Sequence, residues 1–116
     1  MDSQGTREGR RREMGSSKDK PVLRYQAVAT EKERTFAIEQ SIRIGRHPYN
    51  EVSVGDNTMS RYHCWVSRYE RDVIIEDLGS SNGTYVNGTV IFKPTLLHPG
   101  DRVKIGNSVF EFGLAG

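Results

Sequence analysis

The chain has 116 residues, the size of one ordinary domain. Its 17 Lys and Arg against 15 Asp and Glu give a net charge of +2, unevenly spread: residues 1–20 hold six basic and four acidic groups, which leaves residues 21–116 neutral. Neutrality there argues against a non-specific nucleic-acid binder, the short apolar runs against a membrane-spanning segment, and one cysteine, Cys64, against an intrachain disulfide or a four-cysteine zinc site.

Residues 1–20 contain two apolar side chains, Met1 and Met14, too few to offset the entropy of ordering, and read as a disordered N-terminal tail ahead of one domain over 21–116. The tail lacks the apolar core of a secretory signal, and its acidic residues argue against a transit peptide, so an intracellular place, cytoplasm or nucleus, is expected. Arg10-Arg11-Arg12 reads as part of a passive leader or, alternatively, as a nuclear-import or polyanion contact. Thr6, if phosphorylated, could reach loops of its own domain, because some 15 extended residues span roughly 50 Å. The chain ends four residues after Phe112, which suits a fragment of a larger protein.

From Pro21 onward about 40% of residues are apolar, and Val plus Ile (17) outnumber Leu plus Ala (nine), the bias of pleated sheets rather than helices. No stretch carries the i, i+3, i+4, i+7 stripe of a core helix. Short strand-like runs recur instead: Val22 to Ala29, Thr35 to Ile38, Ser41 to Ile44, Glu51 to Val54, His63 to Tyr69, Asp72 to Glu76, Thr84 to Val86, Val90 to Phe92, Thr95 to Leu97, Arg102 to Ile105 and Val109 to Phe112. Eleven short strands between turn residues imply an all-β fold, a β-sandwich of antiparallel or mixed sheets. The alternations Ile42/Ile44, Val52/Val54, Val103/Ile105 and Phe110/Phe112 supply its inward faces. Asn87-Gly88 predicts a hairpin turn, and Pro99-Gly100-Asp101 a second turn.

In such a sandwich the strands make the core and the loops carry function. Ser60, His63 and Asp77 could form a nucleophile, base and orienter on paper, but no Gly-x-Ser-x-Gly elbow and no glycine-rich oxyanion loop accompany Ser60. The loop at 79–88 is not a Walker loop, since Gly83 is followed by Thr84 rather than Lys. His47, His63 and His98 stand at unrelated spacings, so structural roles are expected for them rather than metal ligation. Neither catalysis nor a cofactor is expected. What the loops do supply is an arginine after a strand, short hydroxyl side chains, an asparagine and small turn residues that turn backbone N–H groups outward, which is equipment for binding an anion.

Gly45-Arg46, Ser60-Arg61-x-His63, Asp77-Leu78-Gly79-Ser80-Ser81-Asn82-Gly83-Thr84-x-x-Asn87-Gly88, Leu97-x-x-Gly100-Asp101 and Ile105-Gly106 together resemble the motif series of the forkhead-associated (FHA) domain, in order from about residue 21 to 113. The resemblance implies an eleven-stranded sandwich whose loops at one end bind phosphothreonine peptides. It implies that Arg46, Ser60, Arg61 and Ser81 contact the phosphate and that Asn82 bonds the peptide main chain. Gly45, His63, Gly83 and Asn87 match architectural positions, with His63 bracing the site from below. Choice of peptide usually depends, in this family, on side chains C-terminal to the phosphoresidue. The segment before Ser60, Gly55-Asp56-Asn57-Thr58-Met59, has no basic residue to favour an acidic one there, and Met59 and Tyr49 could as easily offer an apolar contact. The expected partner is a phosphothreonine-containing protein or peptide, with no specific nucleic acid, no membrane and a monomeric domain. Two alternatives stay open: a related scaffold that binds a protein through a sheet face without phosphate, and a nucleic-acid contact made by Arg7 to Arg12.

Overall fold

The computed structural model describes residues 20–27 and 32–115. Residues 1–19 of the expected tail, with Thr6 and Arg10 to Arg12, and residues 28–29 of the first expected strand lie outside these. Eleven strands follow in order: β1 (Lys20–Ala27), β2 (Lys32–Ala37), β3 (Ser41–Gly45), β4 (Val52–Ser53), β5 (Cys64–Tyr69), β6 (Asp72–Asp77), β7 (Thr84–Val86), β8 (Thr89–Val90), β9 (Thr95–Leu97), β10 (Arg102–Ile105) and β11 (Ser108–Ala115). They form a five-stranded sheet, β9-β6-β5-β3-β4, and a six-stranded sheet, β2-β1-β11-β10-β7-β8. All neighbours are antiparallel except β3 and β4.

Period-two alternation decides which faces meet. On β3, Ile42 and Ile44 are buried while Ser41 and Arg43 face solvent, and β10 and β11 turn Val103, Ile105, Phe110 and Phe112 inward in the same way. Register then lines these residues up across strands. Ile42, Val66 and Ile75 form one inward row of the first sheet, and Tyr25, Phe110, Val103 and Val86 one of the second, with Tyr25 stacked on Phe110 at 4.9 Å between centroids. All of these except the partly buried Tyr25 and Val86 belong to one buried cluster.

Asn87 and Gly88 both have positive φ, 52° and 84°, the geometry of the two-residue turn that joins β7 to β8. The run expected at Val90 to Phe92 is strand only at Thr89–Val90. Ile91 turns into the core, its N–H donating to the Thr84 carbonyl at 2.9 Å, which leaves Phe92 90% exposed ahead of Pro94.

The pairings Ile44–Cys64 and Cys64–Asp77 put the end of β3, the start of β5 and the end of β6 side by side. Ile105–Thr84 does the same for the end of β10 and the start of β7. The connections 46–51, 54–63, 78–83 and 106–107 therefore leave from the same end of the sandwich. Asp56 fastens two of them: its carboxylate accepts from the Thr58 amide and hydroxyl, at 2.9 and 2.5 Å, and from the Asn107 amide and Ser108 hydroxyl, at 2.9 and 2.8 Å. Burial alone would raise its pKa, yet these four bonds together hold it below the ordinary value. Asp56→Ala is expected to cost about 1 to 3 kcal/mol, since it strands the buried Ser108 hydroxyl and removes the three bonds to Thr58 and Asn107. A lower urea midpoint at unchanged m-value would register that loss.

Candidate functional site

Gly45 closes β3 at a point where no side chain fits: a Cβ there would overlap the Arg61 carbonyl oxygen and stand 2.8 Å from Asn50 Nδ2. That close approach lets the next two amides reach the neighbouring loop. Arg46 N–H donates to Ser60 O at 3.0 Å and His47 N–H to Arg61 O at 3.1 Å. Asn50 completes the seam, its buried Nδ2 donating to His47 O at 2.8 Å and Arg61 O at 2.7 Å. Sequence reading gave Asn50 no role, although an asparagine at the end of an irregular loop is a common way to satisfy backbone carbonyls.

Three residues after Ser60, His63 is fully buried and joins the second loop to the third. Its Nδ1 accepts the Ser60 N–H at 3.0 Å and its Nε2 lies 2.8 Å from the Gly83 carbonyl oxygen. An N–H on one side and a carbonyl on the other admit one arrangement, the neutral ring with its proton on Nε2. Gly83, at φ 86°, supplies the left-handed turn that aims that carbonyl at His63.

The third loop winds around Asp77. One carboxylate oxygen accepts the amides of Gly79 and Ser80, both at 2.9 Å, and the other accepts the hydroxyls of Ser80 at 2.5 Å and Thr84 at 2.7 Å. Ser80 Oγ in turn accepts the Gly83 N–H at 2.9 Å. Burial pushes the Asp77 pKa up, but the bonds from Ser80, Thr84 and Gly79 outweigh it and hold the group below its ordinary value of 3.8. With both imidazole nitrogens and both carboxylate oxygens so engaged, Ser60, His63 and Asp77 do not form a catalytic triad. Cys64 is fully buried, and burial with the Asp77 charge raises its thiol pKa, so it is a packed thiol rather than a nucleophile.

Above these supports lies an open cavity of about 460 Å³ whose lining brings together Arg46, Ser60, Arg61, Ser81 and Asn82, with Thr58, Tyr62 and Leu78 around them. Arg46 Nε donates to the Met59 carbonyl at 3.0 Å, which fixes the guanidinium plane and leaves its terminal N–H groups for a ligand. Ser60 Oγ accepts the Ser81 N–H at 3.0 Å and keeps its own hydrogen to donate, while Asn82 Nδ2 donates to Thr58 O at 2.8 Å. No carboxylate lines the cavity. Asn87 is not part of it: in its hairpin turn it bonds Asp101 Oδ1 and the Arg102 amide, at 2.9 and 3.0 Å. The Met59 side chain does not offer an apolar contact, because it is 1% exposed and packed in the core; the residue meets the site through the carbonyl that accepts from Arg46. Leu78 and Tyr62 are the exposed apolar groups of the lining, and Tyr49 is 78% exposed outside it.

A β-sandwich that fastens three loops from beneath and presents two arginines and small polar groups above them has the build of an anion-recognising binding module. The chain belongs to the FHA-domain family, a family of phosphopeptide-binding modules, whose pattern it matches over residues 42–106, more than half of its length. It is 38% identical over 72 residues to the glycogen accumulation regulator GarA of Mycobacterium tuberculosis, covering 61% of this chain and 44% of that one. It is 39% identical over 82 residues to the oxoglutarate dehydrogenase inhibitor of Corynebacterium efficiens, covering 70% of this chain and 56% of that one. The chain thus spans about half the length of the curated relatives it matches. Among solved structures it resembles Mycobacterium tuberculosis EmbR in complex with a low-affinity phosphopeptide, with a TM-score of 0.72 and 29% identity over 82% of this chain and 25% of that one. No helix among the described residues is long and apolar enough to cross a membrane.

Two outcomes follow from the supports. His63→Ala leaves the Ser60 amide and Gly83 carbonyl without their partner, at about 1 to 3 kcal/mol; calorimetric melting is expected to fall by roughly 4 to 8 °C per kcal/mol. For Asp77 the folded-state pKa is depressed, so its contribution is complete above the ordinary value of 3.8 and is lost as pH falls through the folded-state pKa. Asp77→Asn should therefore melt below the wild type at neutral pH, and the gap between their melting temperatures should narrow as the pH is taken progressively below 3.8 and the wild-type carboxylate protonates.

Proposed function

We propose that this domain is a phosphothreonine-dependent protein–protein interaction module that carries out no chemistry of its own. One observation supports the reading above others: Arg46, Ser60, Arg61, Ser81 and Asn82, drawn from three separate loops, line one cavity that contains no carboxylate. A phosphate brings nearly two negative charges and three acceptor oxygens. In this reading the terminal nitrogens of Arg46, the Ser60 hydroxyl and the Arg61 guanidinium meet those oxygens, Ser81 adds a contact from its hydroxyl or amide, and Asn82 bonds the peptide main chain beside them. An aspartate or glutamate offers one charge and a flat pair of oxygens, so acidic mimics should bind poorly. Burying the threonine methyl favours phosphothreonine over phosphoserine by about 0.8 kcal/mol, roughly fourfold. His63 is the brace, holding Ser60 and Gly83 in place without touching ligand, and Gly45 and Gly83 shape the loops. The names of the relatives, a regulator and an enzyme inhibitor, suit a regulatory module acting inside the cell.

The test is calorimetry with a phosphothreonine peptide and its unphosphorylated twin. The phosphorylated peptide alone should bind, and Arg46→Ala should remove that binding while the fold stays intact, because loss of a desolvated charge partner costs about 2 to 5 kcal/mol of the roughly 8 kcal/mol in a micromolar complex. Equal binding of the two peptides would sink the phosphate reading. A partner protein captured equally well by the Arg46→Ala variant would favour recognition through a sheet face instead.

A further inference from the structure

The segment before Ser60 brings no cation to the site, but β3 does. Arg43 stands on the outward face of that strand, and Arg46 follows three residues later, just past the strand's end, which puts the two Cα atoms at most about 10 Å apart. Its guanidinium carbon lies 5.2 Å from the centroid of the Tyr62 ring, and Tyr62 lines the cavity. The same ring stacks with His47 at 5.1 Å, and His47 meets Tyr49 edge-on at 4.9 Å. Four side chains from a strand and two loops are thus held in contact at the cavity rim, although none belongs to the core.

Such an arrangement adds little to the fold, since Tyr62 is 37% exposed and cation–π pairs at exposed sites are weak. What it does is hold a long, otherwise mobile arginine in one place, so less freedom is lost when a ligand arrives. Trp65, the cross-strand neighbour of Arg43, is also partly exposed on this face. The nearby Glu51 offsets part of the charge, but its carboxylate accepts the backbone amide of Arg43 at 2.8 Å, and among the described residues it makes no ion pair with the guanidinium. The fork of N–H donors is left for a partner.

The geometry points to Arg43, held over Tyr62, as a specificity-determining residue that reads a second acidic group, a carboxylate or a phosphate, two or three residues away from the phosphothreonine in an extended ligand. The spacing follows from the ligand itself, which advances about 3.3 Å per residue when extended and so covers the separation of Arg46 and Arg43 in that many steps. The inference rests on the phosphothreonine reading and adds a second contact to it.

Fluorescence anisotropy with labelled phosphothreonine peptides tests it. One peptide has alanine flanks, four carry a single glutamate at −3, −2, +2 or +3, and four carry a second phosphothreonine at those positions; the unphosphorylated alanine peptide is the reference. In the wild type at least one acidic peptide is expected to bind up to about fivefold tighter than the alanine-flanked one. In Arg43→Gln that ratio falls to about one, and in Tyr62→Leu it shrinks, with circular dichroism melts checking that both variants are folded. A gain confined to the doubly phosphorylated peptides assigns the contact to a phosphate rather than a carboxylate. Equal affinity for all phosphopeptides, or a gain that survives Arg43→Gln, overturns the inference while leaving the phosphothreonine reading standing. Failure of the alanine-flanked phosphopeptide to outbind its unphosphorylated twin overturns both.

Discussion

The loop end of this domain depends on one buried imidazole. His63 satisfies a donor in one loop and an acceptor in the next, so its polarity is fixed by two backbone groups and its burial leaves neither ring nitrogen unpaired. A buried polar group is tolerated when its partners are supplied, and when they are it makes the position specific. An apolar side chain of similar size would fill the volume and leave the Ser60 amide and Gly83 carbonyl to find water that the site excludes. Ser60 lies within one segment that lines the cavity and Gly83 directly follows another, so the placement of Ser60, Ser81 and Asn82 relative to one another passes through this ring.

Charge is distributed on the same logic. The folded part is neutral by sequence, yet its loop end is not uniformly so. Asp56 and Asp77 turn inward, each accepting four hydrogen bonds within and between loops, and both are held more acidic than an ordinary carboxyl. Their charges are consumed in ordering backbone, whereas Arg46 and Arg61 face the cavity. Net charge would not have revealed a cationic site here, because the acids that balance it are spent as internal ties.

Much of the fold was legible because period two is a local property. Ile42/Ile44, Val103/Ile105 and Phe110/Phe112 face inward as their alternation requires, and Asn87-Gly88 makes its turn because both residues tolerate positive φ. Misreadings arose where contact was made through space. Met59 looks like a loop residue from its neighbours, but the chain dips there and sends its side chain into the core. Phe92 reads as the end of a strand, but β8 stops at Val90 and the ring is left in solvent. Asn50, Asp77 as the hub of its loop, and the Arg43–Tyr62 pair share this difficulty: each has a partner 7 to 19 positions away, and no spacing rule joins an asparagine to a carbonyl across two loops.

The groups that line the cavity hold one another. The Ser81 amide, which could face an anion, donates to Ser60 Oγ, and the Asn82 amide donates to the Thr58 carbonyl. A ligand that takes these donors exchanges one hydrogen bond for another, and such exchanges contribute modestly to net affinity. The internal bonds instead keep the loops in a receptive geometry before the ligand arrives, which lowers the ordering cost of binding. In the proposed reading, affinity comes mainly from the arginines, whose terminal N–H groups have no acceptor to give up among the described residues, and selectivity from how far apart those arginines are held. Arg46 is fixed through the Met59 carbonyl and Arg43 through the Tyr62 ring, so each cation is anchored by a different loop residue, and the distance between them is set by the end of β3 and the turn that leaves it.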